Sequence, residues 1–134
     1  MRRALIAGAA YFAAVFVAGF ALGVLRTTVV TPAIGRLAAV ALELPLVLAI
    51  AWIACGALLR RLPLSRAEAL MMGAAAFVLL MNAELALDVL LFGRRPAEHL
   101  ALYTRPAYLL GLAGQLGFAL VPWLRAARFP PRSG

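Results

Sequence analysis

The chain has 134 residues, of which 66% are hydrophobic and 13% charged, with a mean hydropathy of +0.99. A soluble domain is about 45 to 50% apolar and carries roughly twice this share of charge, so a water-soluble fold is excluded. The formal net charge is +8, but every basic residue is an arginine at an end of an apolar run or between two runs. That is the pattern of membrane flanking, not of a nucleic-acid surface.

The sequence therefore predicts an all-α, integral membrane four-helix bundle. A spanning helix takes about 20 residues, so four spans with short connections fill a single transmembrane domain over residues 1–134. Met1-Arg2-Arg3 followed by a long apolar run reads as a retained signal anchor and not a cleaved signal peptide. The first span is expected over residues 4–25, with a helical continuation to Val30. Gly19 and Gly23 form a GxxxG pair in it and are expected to serve close helix packing.

The second span is expected to start near Thr31-Pro32, a threonine cap followed by a first-turn proline, with residues 37–59 in the bilayer. Pro45 lies inside it. It has no N–H for the carbonyl of Ala41, which predicts a helix kink within one turn of Glu43. Cys55 reads as an inert buried thiol.

Ser65-Arg66-Ala67-Glu68 is a capping box that opens the third span, residues 69–92, and accounts for Glu68 structurally. Gly93 to Pro96 stop that span. Pro96 to Tyr103 predicts a short interfacial helix on which His99 is a surface residue. The fourth span covers residues 106–124, with Trp123 at an interface. The tail from Arg125 to Gly134 is basic and proline-containing and predicts disorder at its end. A faint duplication pairs Gly8-Ala-Ala-Tyr-Phe with Gly73-Ala-Ala-Ala-Phe, as though one helical hairpin were repeated.

Four spans put both termini on one side. Arg2, Arg3, Arg60, Arg61, Arg66, Arg125, Arg128 and Arg132 fall there, eight against five for Arg26, Arg36, Arg94, Arg95 and Arg105. The excess predicts cytoplasmic termini and an inner-membrane, multi-pass protein. The use of Arg to the exclusion of Lys, with abundant Ala, Leu and Gly, fits a high-GC bacterial gene.

Three acids interrupt this pattern. With about 1.5 Å rise per residue and span centres near Leu48 and Met81, Glu43 lies about 7 Å, Glu84 about 5 Å and Asp88 about 10 Å from mid-membrane, all in the non-cytoplasmic leaflet. A central acid costs about 2.5 to 3.5 kcal/mol, against roughly 3 to 7 kcal/mol gained from the Leu, Val and Phe residues of the third span. Insertion of that span is therefore expected to depend on docking. Glu84 and Asp88 are four residues apart and share a helix face. Arg26 is the best-placed counter-charge, with Arg94 and Arg36 as alternatives. Asn82 and Gln115 add neutral hydrogen-bonding groups near the midplane, giving one polar cluster shared among the helices.

No nucleophile–base pair or metal-ligand set accompanies that cluster. The single His99 and single Cys55 leave no bis-histidine haem and no paired-cysteine zinc site, so neither metal nor cofactor is expected. Tyr11, Tyr103 and Tyr108 read as packing or interfacial aromatics. An enzyme is thus disfavoured. Two functions remain: a membrane module whose cluster holds the bundle, or a partner, together; and a small transporter or channel subunit using its carboxylates for protons or cations. The expected partners are the bilayer and a second copy or another membrane protein, not nucleic acid.

Overall fold

The structure, a computed structural model, describes residues 1–128. The end of the tail read as disordered lies outside the described residues. Among the described residues six α-helices form: α1 Arg2–Leu25, α2 Thr31–Ile34, α3 Arg36–Arg61, α4 Arg66–Leu91, α5 Pro96–Ala101 and α6 Pro106–Arg128. A π-helical turn, Arg26–Val30, joins α1 to α2, and a 3-10 turn, Leu102–Thr104, follows α5. Four of these segments are long and apolar enough to cross a membrane: Arg2–Ile34, Arg36–Arg61, Arg66–Leu91 and Pro106–Ala127.

The first segment ends later than expected. Thr31-Pro32 does not open the second long helix but prolongs the first, and the chain breaks at Gly35, whose φ of +87° suits a residue without a Cβ. The run Thr27-Thr28-Val29-Val30-Thr31 explains the widened turn before it. Five consecutive β-branched residues crowd an α-helix, Thr28 Oγ1 donates back to the Val24 carbonyl at 2.7 Å, and Pro32 has no N–H to give. By contrast, Ser65 and Glu68 form both bonds of the capping box that starts α4.

The four long helices form a ring in which α1 packs on α3 and α4, and α6 packs on the same two. Thus α1 lies diagonally across from α6, and α3 from α4, with neighbours α1 and α4 running the same way. The start of α1, the end of α6 and residues 62–65 lie at one end, here the terminal end; Gly35 and α5 lie at the other, the distal end.

At the terminal end the packing is close because the residues are small. Ala4, Ala7, Ala51, Ala69 and Ala76 are buried around Tyr11, Met72 and Cys55. A Cβ on Gly73 would overlap the Ala119 carbonyl, and one on Gly8 would sit 2.8 Å from the Met72 carbonyl oxygen. These two glycines, not Gly19 and Gly23, let helices approach. Gly19 has nothing within 4 Å of its Cβ position, and Gly23 meets only the Arg26 side chain, so the GxxxG pair makes no helix contact within the chain. Arginines at this end stack on tryptophan rings, Arg66 on Trp123 at 4.3 Å and Arg125 on Trp52 at 4.7 Å.

A second proline organises the diagonal. Pro122, fully buried inside α6, cannot donate to the carbonyl of Phe118 one turn earlier. Tyr11 of α1 fills the vacancy: its hydroxyl donates to the Phe118 carbonyl at 2.7 Å, and its ring stacks on that of Phe118 with centroids 4.5 Å apart. One side chain thereby satisfies a backbone acceptor that the sequence leaves without a helical partner.

Candidate functional site: an apolar cavity lined by two carboxylates

Toward the distal end the small-residue packing gives way to a cavity of about 470 Å³. Its apolar wall includes Phe12, Phe16 and Phe20 of α1, spaced four residues apart and therefore on one helix face. Successive rings lie 5.2 and 6.2 Å apart. Gly19, Gly23, Gly111 and Gly114 thin the walls between larger side chains. Exposed Phe20, Val24, Leu91 and Phe92 line it as well, which leaves an apolar mouth between α1 and α4.

The acids separate into three bonded sets instead of one shared cluster. In the first, Arg26 Nη1 donates to Glu43 Oε2, and both residues line the cavity. The π-helical turn opens at Arg26, and Glu43 lies in the second turn of α3, so the pair ties the ends of the α1–α3 connection. Pro45 follows Glu43 within α3, where its missing N–H leaves the Ala41 carbonyl free of its helical bond.

In the second set, Gln115 Nε2 of α6 donates to Glu84 Oε1 of α4 at 2.6 Å, and both line the same cavity. The other amide atom, Gln115 Oε1, is buried and accepts no hydrogen bond. Among the described residues no Arg, Lys or His lies in ion-pair contact with Glu84.

The third set is outside the cavity lining. Asp88 Oδ2 accepts from Arg94 Nη1 at 3.2 Å and shares a hydrogen with His99 Nδ1 at 2.5 Å. His99 is buried, at 7% exposure, and is not the surface residue that the sequence predicts. Pro96 starts α5 and folds it back on α4, which turns His99 toward the end of α4. The hydrogen bond that Arg94 donates to Asp88 raises its guanidinium above its ordinary value. Burial, with the charges of Glu84 and Asp88 behind it, pushes the neighbouring Tyr103 phenol up to about 12. Tyr103 therefore stays neutral at physiological pH.

Two further predictions meet the geometry differently. Asn82 is exposed and donates to Val78 of its own helix at 2.7 Å, so it leaves the polar cluster. Two residues from Glu84 is about 200° around a helix, which puts the two side chains on opposite faces. Arg36 meets no acid: Nη1 donates to the Tyr108 hydroxyl, and the guanidinium lies 5.0 Å over the Tyr108 ring. The phenylalanine row, His99 and Pro122 are the site and scaffold residues that sequence reasoning missed. Only the row carries a local signal, its repeated spacing of four.

Among the described residues no group of three or more His, Cys, Asp or Glu side chains converges to hold a metal ion. No protein-family model, curated protein or solved structure matches this chain.

Proposed function

We propose that this chain is a multi-pass inner-membrane protein acting as a small transporter subunit, in which Glu84 accepts and releases a proton or a cation inside the cavity. The observation that carries this reading is the position of Glu84, a carboxylate with one amide for a partner on the wall of a cavity with an apolar mouth. An ionisable group within an apolar span is costly to bury, and one that lines a cavity without an ion-pair partner is better accounted for by exchange than by packing. The arginine asymmetry orients the termini to the cytoplasm and the cavity to the outer half of the membrane. On this reading the protein works in a high-GC bacterium and associates with itself or with another membrane protein, since four thin helices enclose little volume.

A second reading, a module that holds a bundle or a partner together, draws on Arg26–Glu43 and Asp88 with Arg94 and His99. Both sets are internally paired and tie connections to long helices.

Dicyclohexylcarbodiimide, a lipophilic reagent for protonated carboxyls, separates the two readings. In nanodiscs, mass spectrometry is expected to find Glu84 modified, with labelling that declines as pH rises, while ion-paired Glu43 and Asp88 stay unmodified. The Glu84→Gln variant should show no labelling in α4. Absence of labelling at Glu84 from mildly acidic to alkaline pH overturns the transport reading and leaves the scaffold.

A further inference from the structure

We propose that the cavity takes a lipophilic ammonium ion, a primary amine on a single apolar body, with the Glu84 carboxylate as its counter-ion and hydrogen-bond acceptor. The inference rests on the exchangeable Glu84 proposed above and names what it exchanges with.

Charge and hydrogen-bond balance carry it. Arg26 is already engaged by Glu43, so the cationic side of the wall is neutralised. Glu84 has the Gln115 amide as its hydrogen-bond partner and, among the described residues, no cation in ion-pair contact. With Glu84 ionised, the lining of Arg26, Glu43 and Glu84 carries one net negative charge. An ammonium group supplies one positive charge and three N–H donors, enough to bond and neutralise that carboxylate. A carboxylate or phosphate ligand would add negative charge beside it. A neutral alcohol would bring one donor and leave the charge unmatched.

The rest of the cavity fits the same ligand. The faces of Phe12, Phe16 and Phe20 suit both an apolar body and a nearby cation. About 470 Å³ lies within the roughly 300 to 1,000 Å³ of small-molecule sites, which accommodates one ring or one short chain and excludes a two-chain lipid. An amphiphile dissolved in the bilayer would enter past Phe20, Val24, Leu91 and Phe92, all of them apolar.

Gln115 Nε2 donates to Glu84 Oε1 and can keep that bond when the amine meets the carboxylate. The exchange balances: the ammonium ion enters with all its protons, and Glu84 releases one proton to solvent.

The test uses the full chain in phosphatidylcholine nanodiscs with n-octylammonium, n-octanoate and N,N,N-trimethyloctylammonium as probes. Octylammonium is expected to protect Glu84 saturably from carbodiimide and to release about one proton per cation bound, while octanoate does neither. The trimethyl compound, which has no N–H, should bind roughly fivefold more weakly. Glu84→Gln should weaken octylammonium binding by roughly thirtyfold or more. A melting curve for Glu84→Gln that matches the wild type shows that this variant is folded. Equal protection by octanoate, or unchanged octylammonium binding in folded Glu84→Gln, overturns the proposal. If carbodiimide modifies Glu84 and octylammonium gives no protection, the ammonium ligand falls and the exchangeable carboxyl stands; if Glu84 is never modified, both fall.

Discussion

The two halves of the bundle use the same residue types to opposite ends. At the terminal end, Gly8 and Gly73 bring backbones together, and a Cβ at either would collide with a carbonyl of the neighbouring helix. At the distal end, Gly19, Gly23 and Gly111 also lie on inward-facing walls, yet no other helix approaches them, and the space they leave is the cavity. Gly8 closes the bundle against the small Ala75 and Ala76, and Leu44 fills the space at Gly114. Beside the phenylalanine row of α1, Gly19 and Gly23 leave a void. Polar residues follow the same division: the terminal half buries a hydroxyl with its acceptor satisfied, whereas the distal half buries an acceptor with nothing to fill it.

The largest effect that sharpens this contrast is expected at Gly73. Gly73→Ala places a methyl where the Ala119 carbonyl sits, so α4 and α6 must separate, at a cost of about 3 kcal/mol by denaturant titration in mixed micelles. A loss below about 0.5 kcal/mol would mean that the terminal half is not closely packed.

Next comes the ion pair. Arg26→Met strands Glu43 among apolar helices and is expected to destabilise by about 2 kcal/mol, less than a fully dry pair because Arg26 keeps 29% exposure. The double variant Arg26→Met with Glu43→Leu should recover most of that loss. If the double variant is as unstable as the sum of the two single ones, the pair is not a mutual bond.

How much of this site could be read beforehand depends on the kind of coordinate each residue needed. Depth along the membrane normal follows from counting residues, and it singled out Arg26 as the counter-charge nearest the acids; the structure pairs it with Glu43. Facing is a second coordinate, only partly contained in the same count. The 200° between Asn82 and Glu84 was available from helix geometry, and it separates the two side chains. Partners across the bundle are a third, and no local pattern encodes them. Nothing near His99 announces Asp88, because their contact depends on α5 folding back, and nothing near Tyr11 announces the carbonyl that Pro122 leaves free. The four apolar helices needed only length and composition, which is why they were the most legible part of the fold.

The diagonal bond gives a smaller but sharper test. Tyr11→Phe keeps the ring stacked on Phe118 and removes only the hydroxyl, leaving a buried carbonyl without a donor. A loss of about 1 to 2 kcal/mol is expected. Restoring the helical donor with Pro122→Ala should make the same Tyr11→Phe change nearly silent, since the Phe118 carbonyl then has its own partner one turn on. If Tyr11→Phe costs the same with Ala at position 122 as with proline, the hydroxyl is not compensating for Pro122.

The smallest stability effect should come with the clearest change at the cavity. Gly19→Leu adds a side chain where nothing lies within 4 Å, so the folded state accepts it at a cost within about 0.5 kcal/mol of zero. The same side chain enters the cavity between Phe16 and Phe20 and takes up part of its 470 Å³. Carbodiimide labelling of Glu84 should therefore fall while the unfolding curve stays in place. In the terminal half the order reverses, because added volume there unfolds the bundle without touching a carboxyl. If Gly19→Leu destabilises as much as Gly73→Ala, the distal half is as tightly packed as the other, and there is no room beside Glu84 for a proton carrier or an amine.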